Sequence, residues 1–369
     1  MRHLIGKRNQ TVLLVLGAFI GLPAMLGADG GCTLTPQLPN TPATPGDSFA
    51  NAGLLTLDSN GSVTISGTIT GNSIDFYDLG AVSPGDRVIV TVEAASGSTL
   101  DPTIAVFDGN QELFSLNDDI DFGAGNFNSA LDDVVVVAGS QLFLAVTKFA
   151  FDPTGGAYEG TVRIERGGAV PQPAVQMLLL NFNGGAFTIE GEGSFNLDPF
   201  DAADIDAAYA GETTAIKNRI AEVVRENFEN TGLMVVTTDE NANPTGVFST
   251  IHFGAFSTTK FGVADSVDQG NADRCDDGIV FTNSFDDPFA QQPSVVGIAT
   301  AIANVAAHEA GHLLGLNHVG DITAVMDNTG TASTLLADQD FKTAELSPSI
   351  FPVGMQNAQS LLDRVVPVP

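Results

Sequence analysis

HEAGHLLGLNH, residues 308–318, holds three of the five histidines in a chain of 369 residues. His308 and His312 are four apart, so on a helix they project from one face about a turn from each other. The residues leading to them, SVVGIATAIANVAAHEAGHLL (294–314), are small and apolar. They predict a largely buried helix capped by Ser294. Two imidazoles at this spacing suit one tetrahedral zinc ion. Gly315 can take a left-handed conformation and turn the chain sharply. Leu316 and Asn317 then return it, and His318 approaches the same ion as a third ligand. A catalytic zinc leaves one position for water beside three protein ligands. Glu309, next to His308, is placed to take a proton from that water. Incidental histidines on a buried helix would not also bring Glu309 and Gly315 into these positions.

The stretch resembles the metzincin signature, H-E-x-x-H-x-x-G-x-x-H with a later methionine. The matching residues are His308, Glu309, His312, Gly315 and His318, with Met326 following in DITAVMDN. The resemblance implies a zinc metalloendopeptidase acting on proteins or peptides. His308, His312 and His318 would hold the metal and Glu309 would be the general base. Met326 would lie in a tight turn beneath the histidines. The short interval from His318 to Met326 is similar to the matrixin branch, as are Asp321 and Ala324. Val319 stands where matrixins usually carry Ser, and Asn328 where they carry Pro, so the wall selecting the residue after the scissile bond is expected to differ. Only His252 remains as a histidine in this part of the chain, so no matrixin-like structural-zinc set is present. No cysteine-switch propeptide is recognisable.

Around this stretch the pattern is mixed α/β. VQMLLLNF (175–182) reads as a buried strand. TTAIKNRIAEVVRENFEN (213–230) reads as a helix with Ile216, Ile220, Val223, Val224 and Phe228 on one face, ended by Gly232. LMVVTT (233–238) is the next strand, and MQNAQSLLDRVV (355–366) a short terminal helix. Residues 175–369 are therefore expected to form the catalytic domain. His252, in the alternating STIHFGAF, reads as a structural histidine.

Residues 49–166 follow a different grammar. VIVTVEA, TIAVF, DVVVVAG, LFLAVTKF and GTVRIER alternate or run apolar, and SPGD, DGN, AGS and DPTGG separate them. The 40 Gly and 18 Pro agree with many short strands. A β-sandwich is predicted. The segment also resembles the bacterial pre-peptidase C-terminal family, a jelly-roll-like sandwich, in IDFYDLGAVSPGDRVIVTVEA, LDPTIAVFDGNQELFSLNDD and GGAYEGTVRIE. That resemblance implies an accessory module with a cell-surface or matrix ligand. Asp118 and Asp119 read as a solvated turn, with contact to a cation as the other reading.

Residues 1–28 read as an export signal: Arg2, Lys7 and Arg8, then an uncharged apolar run from Thr11 to Leu26, then Gly27 and Ala28. No second candidate span follows, so the mature chain is expected to lack a transmembrane segment. Residues 29–48 and 167–174 read as linkers. Cys32 is similar in position to the modified cysteine of bacterial lipoproteins, although Asp29 departs from that pattern. Lipid attachment through Cys32, a Cys32–Cys275 disulfide and a free, buried Cys275 are all open. The expected location is extracellular or in the cell envelope.

The net charge of −30 repels phosphate backbones and excludes nucleic acid as a natural partner. Part of it lies in FGVADSVDQGNADRCDDGIVF (261–281). Asp265, Asp268, Asn271, Asp273, Asp276 and Asp277 there are candidate calcium ligands, with a solvated acidic loop as the other reading. The sequence thus predicts a multidomain, exported zinc metalloendopeptidase, an N-terminal all-β sandwich followed by a metzincin-like α/β domain. The alternative is a surface binding or adhesion protein whose metzincin-like domain is inactive.

Overall fold

Alternate burial along each strand builds the first half of the computed structural model, which describes residues 42–136, 141–173 and 175–368. The expected export segment, Cys32, and Val137 to Ser140 with the AGS turn lie outside the described residues. Among the described residues nine strands precede the second linker: β1 Gly53–Leu54, β2 Ser62–Ile69, β3 Asp75–Ala81, β4 Arg87–Ala94, β5 Pro102–Asp108, β6 Leu113–Asn117, β7 Ser129–Val134, β8 Gln141–Lys148 and β9 Gly156–Glu165. They form two sheets, ordered β1-β3-β8-β5-β6 and β2-β9-β4-β7. In β4, Val88, Val90 and Val92 point inward and meet Ile104, Val106, Leu144 and Val146 of the facing sheet. This is the period-two pattern of a sandwich. The strand expected at DVVVVAG begins earlier, at Ser129. Val135 already leaves the ladder, closing onto the SPGD turn through its bonds with Gly85 and Asp86.

The second half contributes β10 Met177–Asn181, β11 Gly185–Ile189, β12 Gly193–Leu197, α1 Thr213–Asn227, β13 Met234–Thr237, β14 Phe248–Gly254, β15 Gly262–Ala264, β16 Asp277–Phe281, α2 Val295–Leu313, β17 Thr343–Glu345, β18 Met355–Asn357 and α3 Ala358–Val365. Its main sheet runs β13-β10-β14-β16-β15, parallel except for the edge strand β15. Leu178, Leu179 and Leu180 of β10 are all buried, as expected for a parallel strand covered on both faces. Helices α1 and α2 share the largest core with this sheet. Ala299, Ala301, Ala303, Ala306, Ala307 and Ala310 keep α2 narrow enough to be buried nearly all round. The hairpin β11–β12 was not legible as periodicity. The segment 355–366 starts as a strand and becomes helical only at Ala358.

Part of one outer face of the sandwich is covered rather than solvated. Ala105, Phe107, Leu113 and Leu116 pack against Leu346, Ile350 and Phe351, and the Phe107 and Phe351 rings lie 5.6 Å apart. This explains why β5 is buried at nearly every position rather than at alternate ones. No described helix is long and apolar enough to cross a membrane.

Candidate metal centre

Helix α2 ends inside the motif, at Leu313, before the turn that leads to His318. Ser294 caps its start, accepting a bond from Gly297 N at 3.1 Å. At the other end Leu316 N donates to Gly311 O and Gly315 N to His312 O, each at 2.9 Å. This pair of bonds is the Schellman arrangement, which needs a left-handed residue at the position of Gly315. Its φ is +91°. A Cβ there would meet Asp268 O at 2.8 Å and Gln269 Cα at 3.0 Å, so the chain approaches too closely for any side chain.

The turn delivers His318 to the other two histidines. The three Nε2 atoms lie 3.1 Å from one another in every pairing. His308 Nδ1 donates to Val325 O at 2.7 Å and His312 Nδ1 to Leu316 O at 2.8 Å. A carbonyl can only accept, so in those two rings the proton sits on Nδ1 and Nε2 carries a bare lone pair. Burial holds all three histidines below the ordinary range, and His318 falls to about 3. Mutual repulsion lowers His312 and His318 further. Three converging lone pairs suit one cation. Tetrahedral zinc with bonds of about 2.0–2.1 Å places its nitrogens about 3.3 Å apart, close to the observed spacing. These histidines are the one group among the described His, Cys, Asp and Glu residues arranged to hold a metal.

Met326 lies beneath them. It is buried, and a Cβ at Gly311 would come within 2.5 Å of its Sδ, so the sulfur packs on the helix between His308 and His312. Its carbonyl accepts from Val319 N at 2.9 Å. The same turn supplies the Val325 carbonyl that orients His308. Asp321 shapes the turn by accepting from Thr323 N and Oγ1, and Ala324 is buried in it. Val319 is buried, while Asn328 is exposed with its amide 3.5 Å from Ser349 Oγ.

Glu309 is enclosed, only 5% exposed. A Cβ at Gly262 would lie 2.4 Å from its Oε1, and one at Gly278 would lie 3.5 Å from its Cβ. The carboxylate therefore rests on β15 at Gly262, and the base of the same side chain packs on β16 at Gly278. Burial pushes its pKa up to about 8, opposed by the Lys260 charge. Sequence reasoning missed both glycines. The available signal was glycine inside an apolar strand, which marks close approach of another group.

The carboxylates of the acidic loop serve several separate roles. Asp265 accepts from Asp277 N and Glu190 N, Asp268 from Asp273 N, and Asp273 from Cys275 N. Asp277 pairs with His252 Nε2 at 3.0 Å. No three of these carboxylates converge as a metal-holding group among the described residues. Asp276 and Asn271 differ from the rest. Both are buried, and both Asp276 carboxylate oxygens and Asn271 Oδ1 lack a hydrogen bond of ordinary geometry. Burial first, opposed by a contact with the Ser249 hydroxyl and helped by the charges of Asp268 and Asp273, pushes Asp276 up to about 8.

His252 stacks on Phe187 at 3.6 Å and accepts from Asn181 Nδ2 at 3.1 Å, away from the triad. Of the three open readings for the cysteines, a buried Cys275 falls, because Cys275 is exposed. One expectation is also corrected. Asp118 is not solvated: it is 3% exposed, and burial with the neighbouring Asp119 and Asp101 charges raises it to about 7.

The matrixin family model matches residues 225–345, about a third of the chain and the part that carries the triad, Glu309 and Met326. Over these residues the chain is metzincin-like, and the match together with the histidine geometry supports a zinc metallopeptidase. No curated protein matches. Archaemetzincin from Methanopyrus kandleri aligns with 53% of this chain and 98% of its own, at 15% identity and a TM-score of 0.28. A zinc-dependent peptidase from Methanocorpusculum labreanum aligns over 43% and 91%, at 12% identity and 0.27. Aeromonas hydrophila PliG, a periplasmic inhibitor of g-type lysozyme, aligns over 30% and 94%, at 16% identity and 0.24. At these scores none of the three decides the fold.

Proposed function

We propose that this chain is an exported zinc-dependent endopeptidase whose reaction is carried by His308, His312, His318 and Glu309. The observation that carries the reading is the convergence of three Nε2 atoms at 3.1 Å, two of them deprotonated by their partners, with Glu309 on the same helical turn. Zinc held by three imidazoles supplies Lewis acidity toward a peptide carbonyl and toward water. The chain's own residues do the rest. The Val325 and Leu316 carbonyls fix two rings in the ligating tautomer, as outer partners of metal-bound histidines do. Glu309 takes the proton from the attacking water and returns it to the departing amine. Gly262 beneath the carboxylate and Gly278 beneath its Cβ let the side chain pack closely on the sheet, where it is shielded from bulk solvent.

The acidic loop supports a narrower calcium reading than its composition suggested. Asp276 and Asn271 would be the core of the ligand set, with Asp268 beside them, because Asp276 and Asn271 offer buried oxygens without a hydrogen bond of ordinary geometry. The other candidate ligands are engaged by turn amides or His252.

The test is digestion of a mixed peptide library by the full chain, with zinc content measured on the same sample and Glu309→Ala as control. Chelator-sensitive cleavage that disappears in the variant, with zinc retained, is the expected result. Zinc without cleavage by the parent would instead select the surface-binding alternative.

A further inference from the structure

The third histidine is carried by five residues, Leu314 to His318, and each side of that turn is held from elsewhere in the chain. Gly315 lies against the backbone of Asp268, Gln269 and Gly270, and Asp268 N donates to His312 O at 2.9 Å. Gln356 of β18, fully buried, grips the next residue at both ends. Its Oε1 accepts from Asn317 N and its Nε2 donates to Asn317 O, each at 2.7 Å. The His318 carbonyl accepts from Ser347 N at 3.0 Å.

All three supports are anchored to the β-sandwich. Gln269 Oε1 accepts from Leu116 N at 2.8 Å and from Ser115 Oγ at 3.2 Å, both on β6. On either side of Gln356, Met355 N donates to Gln111 O at 2.9 Å and Asn357 Nδ2 donates to Glu112 at 3.1 Å. Next to Ser347, Leu346 enters the core shared with Phe107, Leu113 and Leu116. Where β6 faces Gly315 and Asn317 only a cavity of about 20 Å³ remains, room for about one water.

We propose that the sandwich is a structural part of the zinc site, with Gln269 and Gln356 as positioning residues for His318. The expectation for this half of the chain was an accessory binding module. The contacts give it a second role, in which it sets the reach of the third ligand and transmits strain at the junction to the metal. Two histidines on a helix are preorganised by that helix alone. A third on a turn of this length has no such internal support, so its position depends on what clamps the turn. The proposal rests on the zinc-peptidase reading of the same site.

The experiment measures the zinc dissociation constant of the full chain by competition with a chromogenic chelator, alongside the melting temperature of the metal-free protein. Gln269→Ala cuts both bonds from the loop to β6, and Gln356→Leu removes the grip on Asn317 without changing a ligand. Each is expected to weaken zinc by about tenfold or more, the range seen for outer partners of metal ligands. Gln356→Glu, which keeps the acceptor for Asn317 N, should recover part of the loss. Arg87→Ala, which breaks the exposed Arg87–Asp132 pair on the other sheet, should bind zinc as the parent does. Phe351→Leu, a milder change in the shared core, replaces either glutamine variant if that one fails to fold, and carries the same expectation. Zinc affinity within twofold of the parent for Gln269→Ala overturns the proposal, whatever happens to its melting temperature. A parent that binds no zinc sinks the peptidase reading with it. A zinc-binding, active parent with unaffected variants sinks this proposal alone.

Discussion

Replacing Gly315 with alanine should damage the metal site more than the fold. At φ +91° an L-residue is in left-handed territory, which costs about 1–2 kcal/mol. The new Cβ would also meet Asp268 O at 2.8 Å, Gln269 Cα at 3.0 Å and Gly270 N at 3.3 Å. All three are backbone atoms, so no rotamer change relieves the crowding. Overpacking of this kind adds about 1–3 kcal/mol. The sum is within the roughly 5–15 kcal/mol that a typical domain has in reserve, so the protein should still fold. The easiest relief is a shift of the Leu314–His318 turn, and that shift moves His318. Every 1.4 kcal/mol expressed in this way is about tenfold in zinc binding. We therefore expect the zinc dissociation constant to rise by about ten- to a hundredfold, with a melting temperature lower by only several degrees. Gly320→Ala is the control, since it is exposed and its added Cβ would meet nothing within 4 Å. The assay is chelator competition with parallel thermal melts. If Gly315→Ala bound zinc and cleaved peptides like the parent, the reasoning about this turn would be refuted.

Three further outcomes are expected. Glu309→Ala should keep zinc stoichiometry, measured by atomic absorption, and lower kcat by about 10²–10⁴. Gly262→Ala places a methyl within 2.4 Å of Glu309 Oε1, so it should lower kcat with little change in zinc affinity, which steady-state kinetics and chelator competition together would show. Asp276 and Asp118 have folded-state pKa values raised to about 8 and about 7, above their unfolded values near 4. Their contribution is fully present below about pH 4 and is lost as pH rises through 7–8. In chelator, calorimetry should therefore show the melting temperature falling from pH 5 to pH 8.5, less steeply in Asp276→Asn. Added calcium should restore stability at the alkaline end in the parent but not in that variant. No calcium effect at pH 8.5 would remove the calcium reading.

Much of the zinc site was legible because its geometry is local. Helical spacing alone places His308 and His312 on one face, and a glycine after the last turn allows the return that brings in His318. The strands of both halves were legible for the same reason, as periods of two or continuous apolar runs. DVVVVAG misled because β7 is defined by its pairing with β4, not by where its valines are densest. The acidic loop was read as one cluster because nearness in sequence was the only evidence. In the fold its carboxylates turn toward different amides, and within the loop Asp276 and Asn271 keep buried oxygens without a hydrogen bond of ordinary geometry.

The sequence by itself placed together three imidazoles that can hold a metal, one carboxylate beside them and the glycine that lets the third imidazole arrive. Tertiary structure decided what surrounds them. Gly262 and Gly278 make room for Glu309, the Val325 carbonyl orients His308, and Gln356 with the face of the sandwich secures the turn that carries His318. Periodicity reports which face of an element is buried and never what covers it. Partners that lie tens or hundreds of residues apart leave no local trace until the chain has folded.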